Sequence, residues 1–310
     1  MMIKIICSAQ AYTYNAYHIV KAFYPAVEIT NHVEEKASNY VEINFSDGQV
    51  IAVEKEEIKA GTDAEKKAQI DKKLYEKLSE KSGKTLAWGI LTGVRPTKLA
   101  MKKLEEGMES EAFVSWFRQT YLVSEEKARL AWEIAGREKK LLDRLDYEDG
   151  YSLYVGIPFC PTVCTYCSFS SGALEDWKDF VDAYVEALCK ELAFIGEVSK
   201  EKKLNSIYIG GGTPTSLNAR QLERILSCID THFSREYLLE YTVEAGRPDS
   251  ITEEKLQVIK AHKVTRISIN PQTMQQRTLD LIGRRHSVEQ TVESFKIARE
   301  LGFDDINMDL

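Results

Sequence analysis

Several features that define common classes of protein are missing from this chain. It contains no apolar run of about 18 residues, so no membrane-spanning helix is expected. It has no long basic run and a net charge of −7, which argues against broad affinity for nucleic acid, because that affinity depends on neutralising phosphates. The first residues, MMIKIICSAQAY, turn polar too soon for a signal peptide. These absences favour a cytoplasmic protein with no nucleic-acid partner and no membrane span.

Cysteine is sparse, with six residues in a chain of 310. Cys7, Cys189 and Cys228 are scattered, unlike the dense cysteine framework of small secreted domains. Cys189 and Cys228 lie beside apolar helical stripes, and we interpret both as small packing residues rather than ligands. A reducing compartment such as the cytoplasm is therefore expected.

The other three cysteines are concentrated in residues 151–172, which read YSLYVGIPFCPTVCTYCSFSSG. Cys160, Cys164 and Cys167 have the spacing C-x3-C-x2-C and follow an apolar run that ends at Pro158. This pattern predicts a buried strand that opens into a loop carrying three thiols. Thiolate is a soft ligand that binds iron and zinc strongly. An iron–sulfur cube normally takes four Cys ligands, so three would leave one iron open to another ligand.

The alternative for these cysteines is a structural zinc site. Structural zinc cysteines usually occur as two C-x2-C or C-x4-C pairs, or together with His. The chain has no second pair, and the nearest His, His232, is far away in sequence. The spacing therefore favours an iron–sulfur cluster.

The pattern of hydrophobic residues divides the chain into two predicted domains. Residues 1–147 are typical of a smaller α+β accessory domain, with a hairpin turn at Ser46-Asp47-Gly48 and a capping box that starts at Thr62. Residues 148–310 alternate apolar strands with amphipathic helices, which predicts an α/β domain with a parallel sheet, either open or barrel-like. Helices of the first domain are predicted at 10–24, 62–81, 96–106, 109–120 and 124–145. Strands of the second are predicted at 152–157, 206–210, 238–244, 265–270 and 304–310.

Polar and glycine residues recur where the strands of the second domain end. In parallel α/β architectures the working site forms at that edge of the sheet. The features in phase are the cysteine loop after the first strand, Gly210-Gly211-Gly212 after the second, Glu244 ending the third, Gln272 after the fourth and Asp309 within the fifth. Each has an ordinary alternative, a tight turn for the glycines and helix caps for Glu244 and Asp309. Together they predict one shared site.

The cysteine segment also carries a family resemblance. YVGIPFCPTVCTYCSF resembles the cluster loop of the radical S-adenosylmethionine (SAM) superfamily, and in particular the HemZ-type branch of the oxygen-independent coproporphyrinogen III oxidase group. The resemblance extends over nearly all of residues 151–310. It implies a radical SAM partial (β/α)6 barrel, which is expected to be truncated after the fifth strand.

The resemblance implies a [4Fe-4S] cluster on Cys160, Cys164 and Cys167, with SAM bound to its open iron. One electron would then cleave SAM to methionine and a 5′-deoxyadenosyl radical, which abstracts hydrogen from the substrate. In the oxidase group that substrate is coproporphyrinogen III, which loses CO2 from two propionates to give protoporphyrinogen IX in haem biosynthesis. The expected partners are a porphyrinogen or other small-molecule substrate and an electron donor such as flavodoxin or ferredoxin.

The resemblance also implies which residues contact SAM. Arg284 would pair with the SAM carboxylate, which suits the fork of an Arg side chain; the alternative is a surface charge beside Arg285. Glu244 would suit an ammonium group or ribose hydroxyls. The implied SAM contacts are Tyr154, Tyr166, Gly211, Gly212, Thr213, Glu244, Gln272, Arg284 and Asp309.

Two positions depart from the oxidase group. Gly156 stands where the oxidases tend to carry His, and Ser168 and Phe169 follow Cys167 where they tend to have a further Cys. These departures weaken the expectation of oxidase activity more than that of radical SAM chemistry. The alternative is a haem- or porphyrin-binding carrier, similar to the haem chaperones that share this loop, which retains the cluster without oxidase activity.

One further segment, LAWGILTGVRPTK at residues 86–98, lies in the first domain. Arg95 and Lys98 flank Pro96, a favoured first residue of a helix. Their charges and the free amides of a helix N-terminus could hold a carboxylate. The favoured alternative is a Gly/Pro turn with solvated charges.

Overall fold

The computed structural model of the chain describes residues 2–91 and 95–310. These residues form two compact units, one ending at Arg144 and the other beginning at Leu145. The predicted boundary after residue 147 lies close to this division. The assignment of an accessory domain and a radical SAM core to the two units stays a prediction.

The first unit combines a small sheet with helices, as the sequence predicts. Its elements are β1 (Met2–Cys7), α1 (Gln10–Phe23), β2 (Glu28–Val33), β3 (Asn39–Phe45), β4 (Val50–Glu54), α2 (Asp63–Ser82), α3 (Pro96–Glu105), α4 (Ser110–Tyr121) and α5 (Glu125–Leu142). The sheet has the order β2-β1-β3-β4, in which β1 and β2 are parallel and the other neighbours antiparallel. Helices α1 and α2 supply apolar residues to the core of this sheet.

Local sequence signals set two of these elements. Gly48 has a positive φ of +84° in the turn between β3 and β4, a conformation that glycine adopts without steric cost. The Thr62 side chain accepts from the Glu65 amide, and the Glu65 carboxylate accepts from the Thr62 amide, which closes the capping box at the start of α2. Both predictions are confirmed.

The segment at residues 86–98 is only partly described, because Thr92, Gly93 and Val94 lie outside the described residues. Pro96 is the first residue of α3, as predicted, and Arg95 is its N-cap. Arg95 and Lys98 are both exposed. The anion-binding alternative at this helix stays a prediction.

The second unit alternates strands and helices. Its elements are β5 (Gly150–Ile157), β6 (Phe159–Cys160), β7 (Gly172–Ala173), α6 (Leu174–Trp177), α7 (Val181–Val198), β8 (Lys203–Gly211), α8 (Ala219–His232), β9 (Glu240–Gly246), α9 (Glu253–Ala261), β10 (Arg266–Ile269), α10 (Gln276–Leu281), α11 (Val288–Glu300) and β11 (Asp305–Asn307). Five strands form one parallel sheet in the order β11-β10-β9-β8-β5. Because all five run the same way, their carboxyl ends share one edge.

One face of this sheet is buried and the other is open. Along β5, Leu153, Val155 and Ile157 are buried against helices, while Tyr154 points to the other face and is 62% exposed. The buried face packs on apolar side chains of α7, α8, α9 and α11. The alternation with period two follows from strand geometry. The open face carries Tyr154 of β5 and Tyr208 of β8, which stack on each other, whereas Tyr241 of β9 belongs to the buried core.

The structure corrects three predicted strand ends. Gly211, predicted to follow the second strand, lies within β8, because it pairs with Ile157 of β5. Glu244 does not end β9, which continues to Gly246 and pairs with β10 there. Asp309 lies after β11 and not inside it.

None of the helices in the described part of the chain is long and apolar enough to cross a membrane.

Candidate cofactor site

A cavity of about 390 Å³ opens at the carboxyl edge of the parallel sheet. It brings together residues that lie up to about half the chain apart in sequence, from the ends of β8 and β9 and from the segments that follow β5, β8, β9, β10 and β11. The predicted site residues that line it are Cys160, Cys164, Tyr166, Cys167, Gly211, Gly212, Thr213, Glu244, Gln272, Arg284 and Asp309. One predicted contact, Tyr154, is not among them.

The cysteine loop begins and ends in a small parallel pairing. Phe159 and Cys160 pair with Gly172 and Ala173, so the loop between them is closed at its base. Inside the loop, the Cys167 amide donates to the Cys164 carbonyl at 3.1 Å. All three thiols are free and partly exposed. The loop therefore presents three accessible sulfur ligands to one cavity.

The spacing of these thiols bears on the kind of metal centre. Among the described residues, no three His, Cys, Asp or Glu side chains are close enough together to hold one metal ion. A zinc ion would need each of its sulfurs about 2.3 Å from a single centre. In an iron–sulfur cube each cysteine binds a different iron, so its thiolates stand further apart. Three thiols that line one cavity can each serve one iron of such a cube.

The glycine segment packs directly against the cysteine loop. Gly212 donates to the Ile157 carbonyl and Thr213 to the Phe159 carbonyl, both at 2.7 Å. A Cβ on Gly212 would stand 2.6 Å from the Phe159 oxygen, so only glycine fits there. Gly211 has a φ of +105°, which also favours glycine. The Thr213 hydroxyl contacts the Cys160 sulfur at 3.5 Å. The glycines therefore allow the close approach of these two backbones.

Glu244 supplies a carboxylate to the cavity from β9. Burial raises its pKa, and a hydrogen bond donated by Tyr208 acts in the opposite direction. The nearby charge of Asp309 raises the pKa further. Glu244 therefore ionises less readily than an exposed Glu, and the Tyr208 hydrogen bond favours its charged form. The side chain belongs to the cavity and does not cap a helix.

Arg284 lies in the loop between α10 and α11 and is only 8% exposed. Its Nη1 donates to the Asn270 carbonyl. Its Nε, and the side-chain Oδ1 of Asn270, are buried without a hydrogen-bond partner among the described residues. The alternative of a surface charge is therefore wrong for Arg284, whereas its neighbour Arg285 is exposed. A buried guanidinium with an unused donor suits an anionic group in the cavity.

Tyr166, Gln272 and Asp309 form a chain of contacts across the mouth of the cavity. The Tyr166 hydroxyl donates to Gln272 Oε1 at 3.1 Å. Gln272 has a positive φ of +66°, and its amide donates to the Asp309 carbonyl at 2.9 Å. Burial raises the pKa of Tyr166, and the Arg284 charge opposes that rise. The cysteine loop is thus linked to the segments after β10 and β11.

Tyr154 is the predicted contact that the structure places elsewhere. It lies on the open face of β5, one layer below the cavity, and its ring stacks on Tyr208 with centroids 5.8 Å apart. Because Tyr208 bonds Glu244, Tyr154 reaches the cavity only through these two residues. Strand alternation places Tyr154 on the open face of the sheet, as the site requires. Three residues of β5 separate it from the cysteine loop, and it does not line the cavity.

Sequence reasoning missed several residues that line the cavity, namely Ser168, Phe169, Ser171, Gly246, Arg247 and Asn270. Arg247 and Asn270 follow β9 and β10 directly, in phase with the residues that were found. Their place after a strand was the available signal. The burial of Arg247, at 2% exposure, could not be inferred from it.

A match to a protein-family model establishes the family of the chain. The model of the Radical SAM superfamily matches residues 154–310, which contain every residue that lines the cavity. The chain belongs to the radical SAM superfamily. Membership implies a [4Fe-4S] cluster and SAM as cofactors. The three thiols, the unpaired Arg284 Nε and the unpaired Asn270 oxygen fit these cofactors.

Curated relatives of this radical SAM chain carry names related to haem. The chain is 44% identical over 237 residues to the oxygen-independent coproporphyrinogen-III oxidase-like protein HemZ of Bacillus subtilis, covering 75% of this chain and 47% of that protein. It is 39% identical over 159 residues to the heme chaperone HemW of Lactococcus lactis, covering 51% of this chain and 40% of that protein. The chain therefore spans less than half the length of these relatives.

Among solved structures, the coproporphyrinogen III oxidase HemN of Escherichia coli, described as a radical SAM enzyme, superposes with a TM-score of 0.48 at 26% identity. That superposition covers 56% of this chain and 40% of HemN.

Proposed function

We propose that this radical SAM protein oxidatively decarboxylates coproporphyrinogen III to protoporphyrinogen IX without oxygen. The observation that carries the proposal is the shared cavity, in which the three thiols of the loop face Glu244, Gln272 and Arg284. The HemZ-type character of the cysteine loop and the 44% identity to HemZ support the choice of substrate. The proposed reaction removes CO2 from two propionates and leaves two vinyl groups.

In this proposal Cys160, Cys164 and Cys167 bind the [4Fe-4S] cluster. When bound, the cluster and SAM would supply a 5′-deoxyadenosyl radical that takes one hydrogen atom from each propionate side chain, with the electron for SAM cleavage coming from a donor such as flavodoxin or ferredoxin. Each side chain would then lose CO2 and pass one electron to a one-electron acceptor, which leaves a vinyl group. The protein itself binds, orients and shields these groups. The remaining residues of the cavity are then assigned to SAM.

Each SAM contact is proposed on chemical complementarity. The Nε of Arg284, which is buried and unpaired, suits the SAM carboxylate. Glu244, whose charged form the Tyr208 hydrogen bond favours, suits an ammonium group or ribose hydroxyls. The backbone at Gly211, Gly212 and Thr213 lines the same wall and can approach the methionine end closely. Tyr166, Gln272 and Asp309 complete the proposed set across the mouth, and Tyr154 supports Glu244 through Tyr208.

The experiment is anaerobic reconstitution followed by a SAM-cleavage assay. The wild-type chain should take up about four irons, and Cys164→Ala should lose the cluster, since each cysteine of such a cluster binds an iron. Cys189→Ala is the matched control, because Cys189 packs on the core away from the cavity. Stoichiometric zinc with no iron would refute the proposal.

Product analysis then separates substrate from chemistry. The reconstituted protein should release CO2 from coproporphyrinogen III in step with 5′-deoxyadenosine. SAM cleavage with the porphyrinogen left intact would reject the oxidase activity and keep the radical SAM chemistry.

A second function, a haem or porphyrin carrier, has one observation in its favour. Over 159 residues the chain is 39% identical to a protein named heme chaperone HemW, and Gly156 and Ser168 depart from the oxidase pattern in the cysteine loop. The carrier predicts stable binding of haem by the reconstituted chain, with no change of coproporphyrinogen III. Haem titration monitored by absorbance, run beside the product analysis, distinguishes the two functions.

A further inference from the structure

Arg247 is a charged side chain at the cavity to which the proposed function gives no role. It follows β9 directly and is 2% exposed, among the largest fully buried side chains of the described residues. Its guanidinium makes four hydrogen bonds. Nε and Nη2 donate to the two carboxylate oxygens of Asp249 at 3.0 and 2.7 Å. Nη1 donates to the carbonyl and to the hydroxyl of Thr162 at 2.7 and 2.8 Å.

Thr162 lies inside the cysteine loop, between Cys160 and Cys164. Its hydroxyl accepts from Arg247 and donates to the Gly283 carbonyl at 3.0 Å. The next attachment is the Thr165 amide, which donates to the Ile282 carbonyl at 3.1 Å. The loop is thus tied at Thr162 both to the end of β9 and to the turn after α10.

Asp249 holds the guanidinium in the orientation that this tether needs. A carboxylate that accepts from two nitrogens of one Arg fixes the plane of the fork. The remaining nitrogen then points at Thr162 with its charge already compensated. Four of the five N–H groups of Arg247 donate to Asp249 and Thr162 and its side chain is buried, so the guanidinium is committed mainly to this contact.

We propose that Arg247 is a positioning residue that holds the cysteine loop, through Thr162, in the geometry that lets all three thiolates bind the cluster. The inference rests on the proposed cluster site, and it adds a residue that acts on the site through the cysteine loop. Its rival is a purely electrostatic role, in which the positive charge of Arg247 tunes the cluster.

The test compares variants that cut the tether with variants that change the charge. Arg247→Met removes both, Thr162→Val removes only the hydroxyl bonds, Thr162→Ser restores a hydroxyl, and Asp249→Asn leaves the guanidinium uncompensated. Arg235→Met is the matched control, since Arg235 also bonds a carbonyl, that of His262, and a carboxylate, that of Asp230, but lies outside the cavity. The readouts are iron transfer to a ferrous chelator and the reduction potential of the cluster in the anaerobically reconstituted full chain.

Arg247→Met should release iron about tenfold faster than wild type, since the loss of one charged hydrogen bond changes an equilibrium by about this factor. Thr162→Val should release iron faster than wild type to a smaller extent. Thr162→Ser should be close to wild type. The double variant Arg247→Met/Thr162→Val should release iron no faster than Arg247→Met alone. Arg235→Met should keep wild-type iron release. Iron release at the wild-type rate in both Arg247→Met and Thr162→Val would overturn the tether. So would a shifted reduction potential in Asp249→Asn and Arg247→Met combined with wild-type iron release and potential in Thr162→Val.

Amide hydrogen exchange on the iron-free chain makes the test independent of the cluster. The peptide that covers residues 160–167 should exchange faster in Arg247→Met and Thr162→Val than in wild type and in Arg235→Met. If wild type binds no iron, the proposed function fails while this comparison still decides the tether. Equal exchange in all variants would reject it. If Arg247→Met does not fold, Thr162→Val carries both measurements.

Discussion

The Tyr208 hydroxyl donates a hydrogen bond to the Glu244 carboxylate, and Tyr154 stacks on the ring of Tyr208 at 5.8 Å. The three residues come from the adjacent strands β5, β8 and β9 and place a partly buried carboxylate at the cavity that holds the three thiols. Burial raises the pKa of Glu244, and Tyr208 counteracts this. The ionisation of a proposed SAM contact is therefore controlled by a residue on the neighbouring strand.

Tyr208→Phe should weaken SAM binding and shift its pH dependence. Because the pKa of Glu244 is raised, its charged form is fully present only above that pKa and is lost as pH falls through it. Without the Tyr208 donor the pKa rises further, so the loss of affinity should begin at a higher pH. Near neutral pH the affinity should fall about tenfold, since a hydrogen bond to a charged group contributes about 1.5–3 kcal/mol.

Titration of SAM into the reconstituted protein at several pH values checks this. Tyr241→Phe is the control, because the Tyr241 hydroxyl is buried without a hydrogen-bond partner in the described part of the chain. Its removal should leave SAM affinity unchanged. Identical pH profiles for Tyr208→Phe and wild type would contradict the coupling.

Arg284→Met should reduce SAM affinity by about tenfold to a hundredfold, the range expected when charged hydrogen bonds worth about 1.5–3 kcal/mol are lost. The reason is the buried guanidinium with an unpaired Nε at the cavity. Arg285→Met removes an exposed charge from the adjacent position and should bind SAM normally. Calorimetric titration of SAM into both variants measures the two affinities. An equal loss of SAM affinity in Arg284→Met and Arg285→Met would contradict a place for Arg284 in the SAM site.

Gly212→Ala should disturb the cysteine loop. The new Cβ would stand 2.6 Å from the Phe159 oxygen and 2.9 Å from the Ile157 oxygen, so the two backbones would have to separate. We expect a loss of about 1–3 kcal/mol in the free energy of unfolding, the usual cost of overpacking, together with a lower iron content after reconstitution.

Gly156→Ala is the matched control for this clash, since the Cβ would meet only the Tyr154 ring, at 3.6 Å. Denaturant unfolding and iron analysis of the two variants give the comparison. Normal stability and iron content in Gly212→Ala would show that the two backbones can separate without cost.

Asp71→Asn should stabilise the first unit at neutral pH. Burial raises the pKa of Asp71, which is 8% exposed and accepts a hydrogen bond from Asn15 at 2.6 Å. A carboxyl group with a raised pKa in the folded state contributes stability that is full below its unfolded pKa and is lost as pH rises through the folded pKa. The variant removes that loss while an amide oxygen still accepts from Asn15.

The expected gain is on the order of 1 kcal/mol at neutral pH, because a buried polar group costs less than a buried charge, and it should shrink as pH falls. Thermal unfolding measures this gain between about pH 4, which is close to the ordinary pKa of Asp, and about pH 7.5. Glu80→Gln, which changes an exposed carboxylate on the same helix, should show little gain. A gain that grew towards low pH would reverse the sign and contradict the interpretation.

The sequence predicts much of the local structure because the signals for it are local. The capping box that begins with Thr62 forms as expected, since it needs only a hydroxyl and a carboxylate side chain three residues later. The five strands of the large parallel sheet are found because apolar runs alternate with helical stripes. Their ends are less accurate, since Gly211 and Gly246 stay in the ladder only because partner strands continue beside them.

The candidate site also has features that the sequence predicts and features that only the tertiary structure defines. The cysteine spacing and the features at the strand ends predict Cys160, Cys164, Cys167 and most of the residues that the cavity brings together, because parallel strands end at one edge. Burial and pairing of side chains are properties of the packed molecule. Only the tertiary structure placed Arg284 inside rather than on the surface, moved Tyr154 onto Tyr208, and joined Arg247 to Thr162 across 85 positions of sequence. The chain thus encodes its ligand types locally, while their orientation and charge depend on contacts that form when distant strands pack together.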